Sequence, residues 1–182
     1  MNKLLLLFFL LFSFAGFDVN EHQFIARQGQ VSFFSYTSLE NIEAKNNQVL
    51  SILDIEKNEI AISMLMRGFV FKKDLMYEHF NESYIDSDVY PKANFVGNII
   101  DFDTSTKDPQ TKIIRGKLTI HGITKEIDIK TTIEIIDKNY IAFGDFDLLV
   151  KDFEIKIPPI LSGNIAKTIS VKFRFQYQPY EE

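Results

Sequence analysis

Apolar and polar residues alternate with a period of two along most of this chain, in "VSFFSY", "NQVLSILD", "EIAISMLM", "KANFVGNI", "KIIRGKLTIH", "KEIDIKTTIEI", "YIAFGDFDLLV" and "TISVKFRFQYQ". These runs are rich in Ile, Val, Phe, Tyr and Thr, and the alternation predicts about eight strands, each apolar on one face. In the last of them Val171, Phe173, Phe175 and Tyr177 point one way while Lys172, Arg174 and Gln176 point the other. Turn-forming residues fall where the alternation breaks, at Lys57-Asn58, Lys107-Asp108-Pro109, His121-Gly122, Asp137-Lys138-Asn139 and Ser162-Gly163-Asn164, and such short connections imply antiparallel neighbours. Strands with one wet and one dry face bury the dry faces together, either as two stacked sheets or as one sheet closed into a barrel. Periodicity leaves both open.

One segment departs from the pattern. Between Lys73 and Tyr84, the residues Leu75, Met76, His79, Phe80 and Ser83 recur at three- and four-residue spacings that share one side of a helix. Asp74 lies in the first turn, where a carboxylate suits the helix dipole. Pro91 disfavours helical geometry at Tyr90, so the helix should end before it, within Asp86 to Asp88, and give way to an extended strand.

The N-terminus is different again. "MNK" precedes a nearly unbroken apolar run from Leu4 to Phe14, and Ser13-Phe14-Ala15 is a small-x-small site. This is the pattern of a secretory signal peptide over residues 1–15, leaving a single domain over 16–182 and placing the protein in the periplasm or outside the cell. The run is too short for the roughly 20 residues of a spanning helix, so no stable membrane span is expected after cleavage. The chain has no cysteine, which rules out a disulfide framework and lipid attachment at a lipobox. With 46% hydrophobic residues, stability rests on the core.

Loss of residues 1–15 removes one charged residue, Lys3, and takes the formal net charge from −5 to −6. An acidic protein is a poor polyanion binder, so nucleic acid is not an expected partner. The three histidines, His22, His79 and His121, sit in no metal or catalytic signature. "EHFNE" brings Glu78, His79 and Glu82 within one turn, yet the glutamates fall on the solvated flank. "DFDTSTKD" lacks the glycine and closing glutamate of a calcium loop, and Asp145 and Asp147 of "FGDFD" belong on a strand's outer face. There is no thiol and no nucleophile elbow. Neither a metal, a cofactor nor a catalytic residue is assigned. What stands out is eighteen phenylalanines, with Met64, Met66 and Met76 in mid-chain.

Phe-rich strands, the helix motif Met76, His79, Phe80, Asn81, Glu82, the pair Tyr90-Pro91 before Phe95, and the run Leu118, Thr119, Ile120, His121, Gly122 together resemble the YceI family of exported lipid- and isoprenoid-binding proteins. The resemblance covers roughly the whole mature chain. It implies an all-β fold, a lipocalin-like antiparallel eight-stranded β-barrel with a short helical insertion between strands, and a long apolar tunnel for a polyisoprenoid, quinone-like or other lipid chain. The implied lining is Phe33, Met64, Met66, Phe69, Phe71, Met76, Phe80, Phe95, Ile120, Phe146, Phe173 and Phe175; Phe and Met accept a flexible chain without demanding hydrogen bonds. The implied role is sequestration or transport of that ligand, not catalysis, and a homodimer is compatible with it. Two other functions fit the same residues: a barrel filled by its own aromatics that acts through its surface, and an enzyme on an apolar substrate with His79 or His121 as acid or base at the mouth. The sequence departs from the family late in the chain, where many relatives carry an Asn-Arg-x-x-Phe-Gly-like motif and this chain has "VKDFEIKIPP".

Overall fold

A computed structural model describes residues 22–37, 40–157 and 166–181. The proposed signal peptide and the Ser162-Gly163-Asn164 turn lie outside the described residues. The strands are β1 (Gln23–Ser35), β2 (Ile42–Asp54), β3 (Glu59–Leu65), β4 (Val70–Phe71), β5 (Lys92–Ile99), β6 (Gln110–Ile120), β7 (Ile123–Ile136), β8 (Asn139–Leu149) and β9 (Thr168–Pro179). Every pairing is antiparallel, in the order β1-β9-β8-β7-β6-β5-β3-β2, and β2 pairs back onto β1. Eight strands therefore close a barrel, and β4 is a two-residue addition on the upper part of β2.

Closure pairs most of each long strand on both sides, but the first half of β7 pairs only with β6, and β2 meets β3 only over Leu50–Asp54. The inward faces follow the alternation closely: along β5, Ala93, Phe95, Gly97 and Ile99 are buried and the residues between them exposed. Register shifts between Ala26 and Val31 bend β1, as a bulge does. The first half of β2 reaches back to Ile42, further than the alternation of "NQVLSILD" predicts, because Asn46 interrupts the apolar phase.

The two ends of the barrel differ. At the lower end β2–β3 and β7–β8 are joined by tight turns, with Asn58, Asp137 and Lys138 at positive φ. Asp54 organises the first of these turns: its carboxylate accepts from the backbone N–H groups of Glu56 and Lys57 and from the Gln23 amide. The "DFDTSTKD" segment is likewise a polar connection, in which the Asp103 carboxylate accepts from the backbone and hydroxyl of Ser105. The upper end carries the β1–β2 connection, the helical segment between β4 and β5, and the start and end of the β8–β9 connection.

The lower half is filled. Tyr177 and Phe175 are fully buried, and rings succeed one another along β9, with Phe173–Phe175 centroids 5.6 Å apart and Phe175–Tyr177 6.1 Å apart. Phe24, Phe102 and Tyr140 close the base beside them. The Tyr177 hydroxyl meets Ser51 Oγ at 2.6 Å.

Candidate functional site: an apolar cavity in the upper barrel

The upper half is hollow because the wall is interrupted there. The buried Asn46 amide donates to the Leu65 carbonyl (2.9 Å) and its oxygen accepts from the Gln48 N–H (2.8 Å). These bonds end β3 at Leu65, and Met66–Gly68 form a 3₁₀ turn in place of further strand. A Cβ at Gly68 would lie 2.7 Å from the Asn46 amide nitrogen, so the turn packs this closely only with glycine there. The Met66 N–H donates to the Pro91 carbonyl. The chain then rejoins β2 as β4, which among the described residues has no strand partner on its other side.

The helical segment covers that opening. It begins as α1 (Asp74–His79), with Asp74 in its first turn, and continues as a π-helix over Phe80–Tyr84, where Ile85 N–H donates to the Phe80 carbonyl. The sequence spacing predicts the helix over Lys73–Tyr84 but not its widening. A π turn brings residues five apart onto one side, and Phe80, Tyr84 and Ile85 all face the interior as a result. No residue of α1 itself is buried. Phe80 docks the segment: its ring stacks on Phe33 at 5.5 Å and contacts Phe69 at 5.7 Å and Phe71 at 5.1 Å.

Beneath this cover lies a cavity of about 510 Å³, within the range of small-molecule sites. Nine of the twelve residues named from the sequence line it: Phe33, Met64, Met66, Phe69, Phe71, Met76, Phe80, Ile120 and Phe146. The other three, Phe95, Phe173 and Phe175, do not. They belong to the filled half, so the apolar space is a chamber in the upper barrel and not the long tunnel the resemblance implies. Phe146 of the lining touches Phe173 of the filled half, with centroids 6.3 Å apart.

Sequence reasoning passed over much of the aliphatic lining, including Val31, Ala93, Leu118, Leu148, Ile169 and Val171. These residues lie on the dry faces that alternation identifies, but period two fixes only the face and not the height along the barrel. It also missed the polar groups at the rim. Lys73 Nζ lies 2.7 Å from Glu40, both half-exposed, and the Thr37 hydroxyl donates to the Glu40 carbonyl at 2.6 Å. Burial pushes the Tyr84 phenol above its ordinary value, so it stays a neutral hydroxyl in the lining.

The histidines separate. His79 lines the rim, whereas His121 lies outside the lining. His121 and Gly122, at φ 52 and 75, form the two-residue β6–β7 turn, whose left-handed pair is that of a type I′ hairpin. The Phe153 carbonyl lies 3.2 Å from His121 Nδ1; a carbonyl can only accept, so Nδ1 carries the proton. The Tyr90 ring packs against His121 at 4.6 Å and occupies the space where a Gly122 side chain would begin, 2.6 Å from it. The landmarks Tyr90, His121 and Gly122 are thus a clamp tying the β6–β7 turn to the start of β5 and to the 3₁₀ turn Val150–Phe153. In the departing motif, Phe153 lines the cavity and Glu154 adopts φ 54, a left-handed conformation that glycine takes at lower cost. Among the described residues no three His, Asp or Glu side chains group as metal ligands.

Solved structures share this architecture. A polyisoprenoid binding domain from Saccharophagus degradans, implicated in plant cell wall breakdown, superposes with a TM-score of 0.74 at 11% identity, over 87% of this chain and 99% of that one. BcnA of Burkholderia cenocepacia gives 0.69 at 17% identity, over 82% and 96%. The Campylobacter jejuni YCEI protein gives 0.60 at 13%, over 81% and 90%. At these identities the likeness is one of fold. No curated protein matches the sequence. The family profile described as YceI-like domain matches residues 14–177, nearly the whole described barrel, and the chain therefore belongs to the YceI-like domain family.

Proposed function

We propose that this protein is exported and holds one apolar chain, a polyisoprenoid, quinone-like or other lipid, in the upper chamber for sequestration or transport. The observation that carries this is the chamber itself: about 510 Å³, walled by Phe, Met, Ile, Leu and Val, with its few polar groups gathered at the rim. Burial of an alkyl chain in such a space is favourable by about 0.8 kcal/mol per methylene. The rim groups Thr37, Glu40 and Lys73 stand where a polar head would meet water. The printed description of the Saccharophagus degradans domain as polyisoprenoid binding supports the same ligand class.

Export rests on the sequence of residues 1–15 and predicts a mature chain that begins at Gly16.

Native mass spectrometry of protein recovered separately from the periplasmic and cytoplasmic fractions of its own cells, followed by lipid extraction, tests both parts. The expected result is a stoichiometric lipid adduct on a chain shortened by residues 1–15. An unshortened cytoplasmic chain would refute export. Ligand-free protein that also fails to take up added lipids would refute binding.

A further inference from the structure

The chamber ends at a particular layer, and its composition assigns the ligand a length. One inward step below Leu118 and Phe146 stand Gly116 and Gly144, and one step below Ala93 and Val171 stand Phe95 and Phe173. The rings occupy the volume that the glycines leave free: Phe95 Cζ lies 2.7 Å from where a Gly116 Cβ would be, and Phe173 Cζ 3.0 Å from that of Gly144. Gly97 is paired directly with Gly116, and its Cβ position lies 2.9 Å from the same Phe95 atom. Phe175 repeats the arrangement against Gly29 one level further down. The two rings thus fill the space that the glycines leave free, and Phe175 and Tyr177 below them are fully buried.

We propose that this phenylalanine-on-glycine layer is a ruler that sets the maximum chain length of the ligand, an inference that rests on the binding function above. The chamber has a finite depth above this layer, so only the carbons of a chain that fit between the rim and the floor are buried. The ligand class is a single unbranched or isoprenoid chain that ends at this floor, with a polar head at the rim. A longer chain leaves its excess in water and gains nothing further.

Isothermal titration of lipid-stripped protein with straight-chain saturated fatty acids, from about 10 to about 24 carbons and below their micelle concentrations, reads the ruler directly. Affinity should rise roughly fourfold for each added methylene and level off at the length that reaches the floor, short of the longest acid. In Phe95→Ala the break should move several carbons higher, because the ring that closes the floor is gone. In Ala93→Leu, which fills space just above the floor, it should move about three carbons lower, and this variant keeps the test intact if Phe95→Ala does not fold. Affinity that climbs without a break through the longest acid in the wild type, or a break unmoved in folded Ala93→Leu, would overturn the ruler while leaving binding in place. Failure of every acid to bind would remove the binding function and the ruler with it.

Discussion

The solid lower half depends on a hydroxyl pair whose direction can be worked out. Ser51 and Tyr177 are both fully buried. Ser51 Oγ lies 3.1 Å from the Ala61 carbonyl and 2.6 Å from the Tyr177 hydroxyl. A carbonyl only accepts, so the single Ser51 proton goes to Ala61 and Tyr177 donates to Ser51. Burial drives the phenol above its ordinary range and the Ser51 contact only partly offsets this, so Tyr177 remains a donor at any ordinary pH. The two truncations are therefore unequal. Tyr177→Phe removes a donor and leaves Ser51 bonded to Ala61, costing about 1 kcal/mol, the net worth of one hydrogen bond. Ser51→Ala strands a buried O–H and also withdraws a donor from the Ala61 carbonyl, costing about 2–3 kcal/mol. With about 2–4 °C per kcal/mol at this size, Tm should fall by about 2–4 °C in the first case and about 4–12 °C in the second. The double variant should be no worse than Ser51→Ala alone, because the orphaned donor is gone. Urea unfolding followed by far-UV circular dichroism supplies the cycle. A Tyr177→Phe loss equal to or larger than that of Ser51→Ala, or additive losses in the double variant, would refute the assigned direction.

Two further outcomes are expected. Asp54 is nearly buried; burial acts to raise its pKa, but the backbone and side-chain hydrogen bonds from Lys57 and Gln23 outweigh this and leave the carboxyl below its usual value of 3.8. Its contribution is then complete above the unfolded value and lost as pH falls through the lower folded value. Asp54→Ala should be less stable than wild type by about 1–2 kcal/mol near neutral pH, by a margin that is constant down to about pH 5 and shrinks below about pH 4; a margin unchanged at about pH 2 would show that the carboxylate charge is not involved. At Glu154, φ is 54 and ψ is 23. The left-handed conformation costs a residue with a Cβ about 1–2 kcal/mol, and glycine gives back about 0.5–1 in chain entropy, so Glu154→Gly should raise stability by about 0.5–1 kcal/mol. A destabilised Glu154→Gly in the same urea assay would mean that the glutamate side chain holds the turn.

Period-two alternation is legible wherever one face is dry and the other wet, which holds for most of β5 to β9, and the dry faces it marks in "KANFVGNI" and "TISVKFRFQYQ" are the inner faces of the barrel. It fails where a polar side chain does structural work. Asn46 is a polar residue just ahead of the "NQVLSILD" run, yet it is fully buried and stops the neighbouring strand by bonding the Leu65 carbonyl. The opening it creates, and the π turn that covers it, arise from pairings between distant segments, and a helical spacing looks the same whether the last turn closes at four residues or five. Height along the bore is hidden for the same reason. Phe95 and Phe146 are equally apolar and both inward, and nothing in either neighbourhood says that one lies below the floor and the other above it. Glycine within a strand usually counts as a weakness, since it adds backbone entropy and no contact. Here the register sets Gly97 opposite Gly116 and Gly144 opposite Phe173, and each missing side chain is replaced by a ring from a neighbouring position. The strand glycines are thus as much a part of the floor as the phenylalanines. Enlarging Gly116 should disturb the same layer as shrinking Phe95, because a Cβ there has to displace both the Phe95 ring and the Val96 carbonyl, 2.4 Å away.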